Sequence, residues 1–193
     1  MDAADPVALG RFWARMLDAD LVELPDGDTR IDPRTGRGAE SIWVNRVPEP
    51  RVGRTRVRLD VHATAPGVHA DPEGNEFRAL PGPAGAAALE VDAADPAAQA
   101  AWWAGVVGGE VELDRTQARL VGAAGFPWAA WIFVPEAAPR TVKNRWHWDV
   151  DLAGADPSAL VAAGATMVRE RGADLSWWVL TDPEGNEFCA FVP

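Results

Sequence analysis

DPEGNEF occupies Asp71–Phe77 and returns, letter for letter, at Asp182–Phe188. Seven identical residues do not recur by chance in a chain of 193, so the sequence carries an internal duplication. The motif is first a turn. Asp and Pro favour its start, Gly and Asn tolerate positive φ, and the closing Glu-Phe opens a strand. The first copy runs on as Arg78-Ala79-Leu80 and the second as Cys189-Ala190-Phe191. That difference carries most of what the sequence says about function.

The duplication extends outward from the turn. Asp5-Pro6 precedes Phe12-Trp13, and Asp95-Pro96 precedes Trp102-Trp103, at an offset of 90. Both stretches predict helices, with Asp as N-cap, Pro in the first turn and apolar residues at helical spacing. The alternating run Arg54–Val61 matches Lys143–Val150 at an offset of 89, whereas the two DPEGNEF turns stand 111 apart. The additional 22 residues fall around Asp156–Ser176, where ADPSALVAAGATMVRERG reads as a helix and a strand. The first copy opens almost on its helix cap and is expected to lack an initial strand. The reading is therefore an abbreviated copy over 1–83 and a complete domain over 84–193, joined by the breaker-rich Pro81–Gly85. In the complete copy, strands are predicted over Ala87–Asp92, Glu110–Leu113, Arg119–Gly122, Ala129–Val134, Arg145–Asp151, Thr166–Val168, Trp177–Thr181 and Glu187–Val192. Helices are predicted over Pro96–Val107 and Pro157–Ala163. The order strand, helix, three strands occurs twice.

Composition narrows the function. Hydrophobic residues make up 48% and charged residues 24%, a globular balance. A net charge of −11 argues against nucleic acid and anionic membranes as partners. The cluster Arg51, Arg54, Arg56 and Arg58 alternates with Val52, Val57 and Leu59, and reads as a solvated face. One cysteine, Cys189, excludes an intrachain disulfide and points to a reducing compartment, the cytoplasm. Neither a secretion signal nor a membrane span is expected from MDAADPVALGRF. Ten Trp and no Tyr suit cores, and equally pockets for flat ligands.

The residues Asp95-Pro96 with Trp102-Trp103, Lys143–Asp149, Gly164-Ala165 and Trp178–Phe188 resemble the vicinal oxygen chelate superfamily, in its actinobacterial glyoxalase-like branch. The resemblance covers nearly all of 84–193 and about two thirds of 1–83. It implies an α+β fold of paired βαβββ modules, as in glyoxalase I, bleomycin-resistance proteins and extradiol dioxygenases, with cupped mixed sheets and helices outside. In metal-dependent members, His or Glu on the first strand and Glu on the last strand of paired modules hold a cation. Carried over one at a time, those positions fall near Ala88, at His147, at Cys189 and near Trp131. Only His147 is a family ligand, so no metal and no cofactor are expected. His147 is the one weak candidate, with Cys189 and Asp149 beside it. In the abbreviated copy Arg58 and Arg78 stand where His147 and Cys189 would be, and both would repel a metal.

Strand parity places Arg145, His147, Asp149 and Asp151 on one face and Trp146 and Trp148 on the other. Glu187, Cys189 and Phe191 share a face, as do Trp177 and Val179. The expected ligand site is thus a cup in the C-terminal copy, lined by His147, Asp149, Glu187, Cys189, Trp131, Trp177 and Trp178. The leading expectation is metal-free binding of a small flat or apolar molecule, for metabolite or drug sequestration. The alternative is an enzyme, either a metal-dependent lyase or dioxygenase, or a metal-free isomerase with His147 and Asp149 as its catalytic acid and base. A third is a structural or partner-binding protein whose cup is filled by Trp. A homodimer is left open. Asp60 and Arg78 are expected to pair, plugging the second cup.

Overall fold

The computed structural model describes residues 1–34, 40–136 and 142–192. Four modules follow one another. The first is β1 (Asp2–Ala3), α1 (Pro6–Leu17), β2 (Asp20–Glu23), β3 (Thr29–Asp32) and β4 (Ile42–Arg46). The second holds only β5 (Val57–Ala63), β6 (Gly67–Ala70) and β7 (Glu76–Pro81). The third is β8 (Gly85–Ala93), α2 (Pro96–Val107), β9 (Glu110–Leu113), β10 (Ala118–Val121) and β11 (Ala130–Pro135). The fourth is β12 (Trp148–Asp151), α3 (Ser158–Ala162), β13 (Thr166–Arg169), β14 (Trp178–Thr181) and β15 (Glu187–Phe191). The chain is α+β, with mixed sheets and few helices, as expected.

Local chemistry explains the two long helices. Asp5 accepts from Ala8 N at 3.1 Å and Asp95 from Ala98 N at 3.0 Å, and a Pro opens each first turn. Gly10 lets α1 approach β3 closely, since a Cβ there would collide with Thr29 Oγ1.

The repeated turn locks each helix to the module that follows it. Asp182 accepts from Glu184 N (3.0 Å), Asn186 N (2.9 Å), Asn186 Nδ2 (2.9 Å) and the Trp103 indole (3.1 Å), and from Gln99. Glu184 accepts from Ala94 N and Asp95 N at the start of α2 (2.7 and 2.9 Å). The first copy repeats this. Asp71 accepts from Glu73 N, Asn75 and the Trp13 indole, and Glu73 takes Ala4 N and Asp5 N at 2.8 and 2.9 Å. The motif's Phe then packs on the same Trp, with ring centroids 5.1 Å apart for Trp13–Phe77 and 5.2 Å for Trp103–Phe188. The Asp, the first Glu, the Asn and the Phe of the shared turn thus each have a partner in the turn itself or in the preceding helix and its cap, in both copies.

The sheets cross the two copies. β5 pairs antiparallel with β8, giving one seven-stranded sheet in the order β6-β7-β5-β8-β11-β10-β9. The first and fourth modules form four-stranded sheets, β1-β4-β3-β2 and β12-β15-β14-β13. Asp2 N bonds Arg145 O at 2.8 Å, which sets β1 beside the segment entering β12. The sheet partner of the second module is therefore the third, and the fourth meets the first. The core lies on the helix side of these sheets, where Trp148 and Phe188 meet Trp103 edge to face and Trp131 lies tilted against it, while Trp13 joins Trp146 and Phe77.

Three expectations need correction. The first copy does have an initial strand, the two residues of β1, which is too short to show alternation. The strand predicted over Arg145–Asp151 begins only at Trp148. Arg58 is not on a solvated face but 6% exposed, because the carboxylates of Glu90 and Asp92 lie across from it on β8. The helix and strand missing from the second module are absent, as the offsets indicated. No helix among the described residues is long and apolar enough to cross a membrane.

Candidate functional site

On β12 the buried residues are Trp148 and Val150, so the alternate residues Asp149 and Asp151 face away from the helices. Register carries that face across the neighbouring strands. Asp149 lies opposite Cys189 and Asp151 opposite Phe191. Cys189 lies opposite Val179. On the other side of the joint, Asp2 lies opposite Asn45, and Trp43, next but one on β4, lies opposite Arg30. This helix-free face of the first and fourth modules is the candidate site.

Its centre is a group of titratable side chains. One ligating atom each of His147, Asp149 and Cys189 lie within 4.8 Å of one another. His147 Nε2 stands 3.0 Å from Asp2 Oδ1, and Lys143 Nζ makes an ion pair with the other Asp2 oxygen at 2.6 Å. Burial works against the charge on Asp2. The hydrogen bond and charge of His147, with Lys143, outweigh it and hold the carboxyl well below the usual range. Asp149 is open to solvent yet crowded by protein on its flanks, and this desolvation raises its pKa despite nearby His147. Half-buried Cys189 is pushed up to about 12, by burial first and then by the charge of Asp149. It is a thiol at neutral pH, not a thiolate nucleophile.

Aromatic rings flank this centre. Trp177 stacks on Phe191, centroids 5.5 Å apart and 30° between planes. Trp43 is 42% exposed and carries the Arg30 guanidinium 5.3 Å from its ring centroid. Glu187 shares the face of Cys189 on β15.

Two sequence-predicted residues lie elsewhere. Trp131 is 1% exposed within the core around Trp103, because it pairs with Leu89 and Leu120 on the helix side of the seven-stranded sheet. Trp178 lies opposite the buried Ala190, on the helix side, with Arg171 over its ring. Trp177 keeps its predicted face. The positions facing His147 and Cys189 across the joint come from β1 and β4, not from the neighbourhood of Ala88 and Trp131. Sequence reasoning missed Asp2 and Trp43. A signal for Asp2 existed, since DAADP occurs at Asp2–Pro6 and again at Asp92–Pro96.

The matching place in the seven-stranded sheet is filled by ion pairs. Arg58 grips Asp92 at 2.6 and 3.0 Å and Glu90 beside it, Arg54 also reaches Asp92, and Arg78 pairs with Asp60 and Glu90. The expected Asp60–Arg78 pair is thus found, as part of a larger network. A concavity of about 440 Å³ lies away from this face, at the end of α1, and is lined by Arg11, Arg15 and Arg34 with Asp18 and Asp20. Arg34 already pairs with both acids there, and Arg11 with Glu23.

The chemistry of the donor set suits a divalent ion in kind. Imidazole nitrogen, carboxylate oxygen and thiol sulfur are zinc ligands, although a tetrahedral shell wants them nearer together than the outer limit of 4.8 Å and wants the thiol deprotonated.

A family model described as a glyoxalase-like domain matches residues 1–68 and 88–191. No curated protein sequence matches the chain. Among solved structures, glyoxalase I from Zea mays is similar over 98% of this chain and 89% of its own, at 11% identity and a TM-score of 0.64. A putative dioxygenase from Bacillus subtilis matches over 100% and 83%, at 11% identity and a TM-score of 0.61. The cppA protein from Streptococcus pneumoniae matches over 100% and 96%, at 12% identity and a TM-score of 0.55. At such identities the likeness is one of fold.

Proposed function

The chain belongs to the glyoxalase-like domain family, and on that premise we propose that it binds a small, flat, largely apolar molecule, without a metal, on the open face where its first and fourth modules meet. Trp177 with Phe191 forms the wall, and His147, Asp149, Cys189 and Glu187 supply the polar contacts. One observation carries the reading. At matching places, one sheet keeps His147, Asp149 and Cys189 gathered, whereas the other has Arg58, Asp60 and Arg78 tied into salt bridges. Apolar walls with a few convergent polar groups are the usual form of a small-molecule site. Sequestration of a metabolite or drug in a reducing, cytoplasmic compartment fits this arrangement.

Two further readings rest on particular contacts. The Asp2–His147 hydrogen bond favours an acid–base enzyme, a lyase or isomerase, in which His147 and Asp149 move a proton on the bound molecule. The gathering of three donors favours a zinc-like ion held by His147, Asp149 and Cys189, which would supply a Lewis acid for a ligand oxygen. The metal-free reading is supported by the thiol, pushed up to about 12, and by Asp2, whose oxygens are already shared between His147 and Lys143.

Native mass spectrometry, elemental analysis and a thermal-shift screen of flat aromatic compounds test these together. The expected result is a small organic ligand or a stabilising compound, no stoichiometric metal, and loss of binding in Trp177→Ala. About one Zn, Fe, Ni or Mn per chain would move the weight to the metal reading. Unchanged binding in both Trp177→Ala and Trp43→Ala would remove this face from consideration.

A further inference from the structure

We infer that Asp2 is the positioning residue of His147: it holds the ring by Nε2 and leaves Nδ1 as the imidazole's proton acceptor on the open face. The inference rests on the reading of that face as a ligand site. It means the site is complete only where the first and last modules of the chain meet.

The argument starts from Asp2. Its side chain is buried, 3% exposed, with Oδ1 at 3.0 Å from Nε2 and Oδ2 in the Lys143 ion pair. A carboxylate can only accept, so the nitrogen facing it must carry the proton. The other tautomer would set a lone pair against a buried anion. Lys143 compensates the carboxylate and keeps it charged. His147 has no further hydrogen-bond partner among the described residues, so in the neutral ring Nδ1 retains a free lone pair.

The second sheet shows what a purely structural tie looks like at this place. Asp92 occupies the position of Asp2 in the other DAADP, and its partners Arg58 and Arg54 occupy those of His147 and Lys143. Guanidinium fills the site with donors and offers no acceptor. Imidazole in the same frame makes a weaker tie and contributes an acceptor nitrogen. The ligand class follows. A flat body against Trp177 and Phe191 should present a proton donor, a phenol, amide or imide, to Nδ1. The same body with that donor methylated should lose the contact.

The test uses the full chain labelled with 15N-histidine. Long-range proton–nitrogen correlation is recorded on the alkaline plateau, where the ring signals no longer move with pH, and His147→Gln separates its signals from those of His62 and His69. The Nε2–H tautomer is expected in the unaltered chain, and a mixture of tautomers in Asp2→Asn. An Nδ1–H ring in the unaltered chain would overturn the inference, as would a spectrum that Asp2→Asn leaves unchanged. If Asp2→Asn does not fold, the spectrum of the unaltered chain decides alone. A second arm compares p-cresol with its methyl ether. Cresol is expected to bind roughly three- to tenfold more tightly, the reach of one net hydrogen bond, and to lose that preference in Asp2→Asn. Equal binding of the two by the unaltered chain would overturn the acceptor role. Binding of neither would count against the ligand reading, while the tautomer still judges Asp2.

Discussion

Arg58 grips both oxygens of Asp92, at 2.6 and 3.0 Å, and thereby fills the place that His147 takes beside Asp2 in the other half of the molecule. The two carboxylates head the same five-residue word, DAADP, 90 positions apart. Around Asp92 the frame holds only fixed charges. Around Asp2 it holds an imidazole, and Asp149 and Cys189 stand where Asp60 and Arg78 are paired. One frame is closed by ion pairs, and the other gathers the imidazole, carboxylate and thiol of the candidate site.

The lock should matter to stability. Arg58→Met would leave Glu90 and Asp92 sharing only Arg54 and Arg78 in a buried setting, and removing one partner of such a network costs about 3 kcal/mol or more. Urea unfolding of the purified variant measures this. A loss below about 1 kcal/mol would show that the network is already solvated.

Cys189 should react slowly. Its thiol is raised from 9.0 to about 12, by burial first and the Asp149 charge second, so little thiolate exists near pH 8. Asp149→Asn removes the charge and should speed thiol alkylation at that pH by about tenfold, the equivalent of one pKa unit. The stability sign follows from the raised folded-state value. The contribution of the protonated thiol is fully present below pH 9 and is lost as the pH climbs toward 12. Reaction rates that do not respond to Asp149→Asn would mean that burial alone protects the sulfur.

The two DPEGN turns should be separately indispensable. Asp182→Ala strands the Trp103 indole, the Asn186 amide and two backbone N–H groups in a buried corner, and about 3 kcal/mol of lost stability is expected. Glu184→Ala removes the acceptor at the exposed start of α2 and a long ion pair with Arg56, at 4.0 Å, and should cost about 1 kcal/mol. Asp71→Ala should resemble Asp182→Ala. Equal, small losses for Asp182→Ala and Glu184→Ala, read by thermal melting, would contradict the assigned roles.

Residues 1–83 should not fold alone. Expressed without 84–193, they lose the β5–β8 ladder and the Trp13–Trp146 contact, leaving strand edges and an apolar face uncovered. Circular dichroism of the fragment is expected to show disorder. A monomeric fragment that melts cooperatively would refute the expectation.

What the sequence determined by itself is local or repeated. Asp-Pro pairs mark where α1 and α2 begin, because capping and proline geometry act within one turn of chain. Parity on β12 and β15 put Asp149, Cys189 and Glu187 on one face, because a strand's side chains alternate regardless of its neighbours, and His147, just before β12, comes within reach of Asp149 and Cys189. The growing offset located the helix and strand that the second module lacks. Tertiary structure decided which modules share a sheet. Nothing in the residues of β5 names β8 as its partner, and a two-residue β1 carries no period. The pairing of Asp2 with His147, 145 positions apart, was therefore invisible along the chain. Trp131 misled for a related reason. Its strand was predicted correctly, but which side of the strand faces the helices is settled by the packing of Trp103, Trp148 and Phe188 around it, and that packing exists only once distant modules have met.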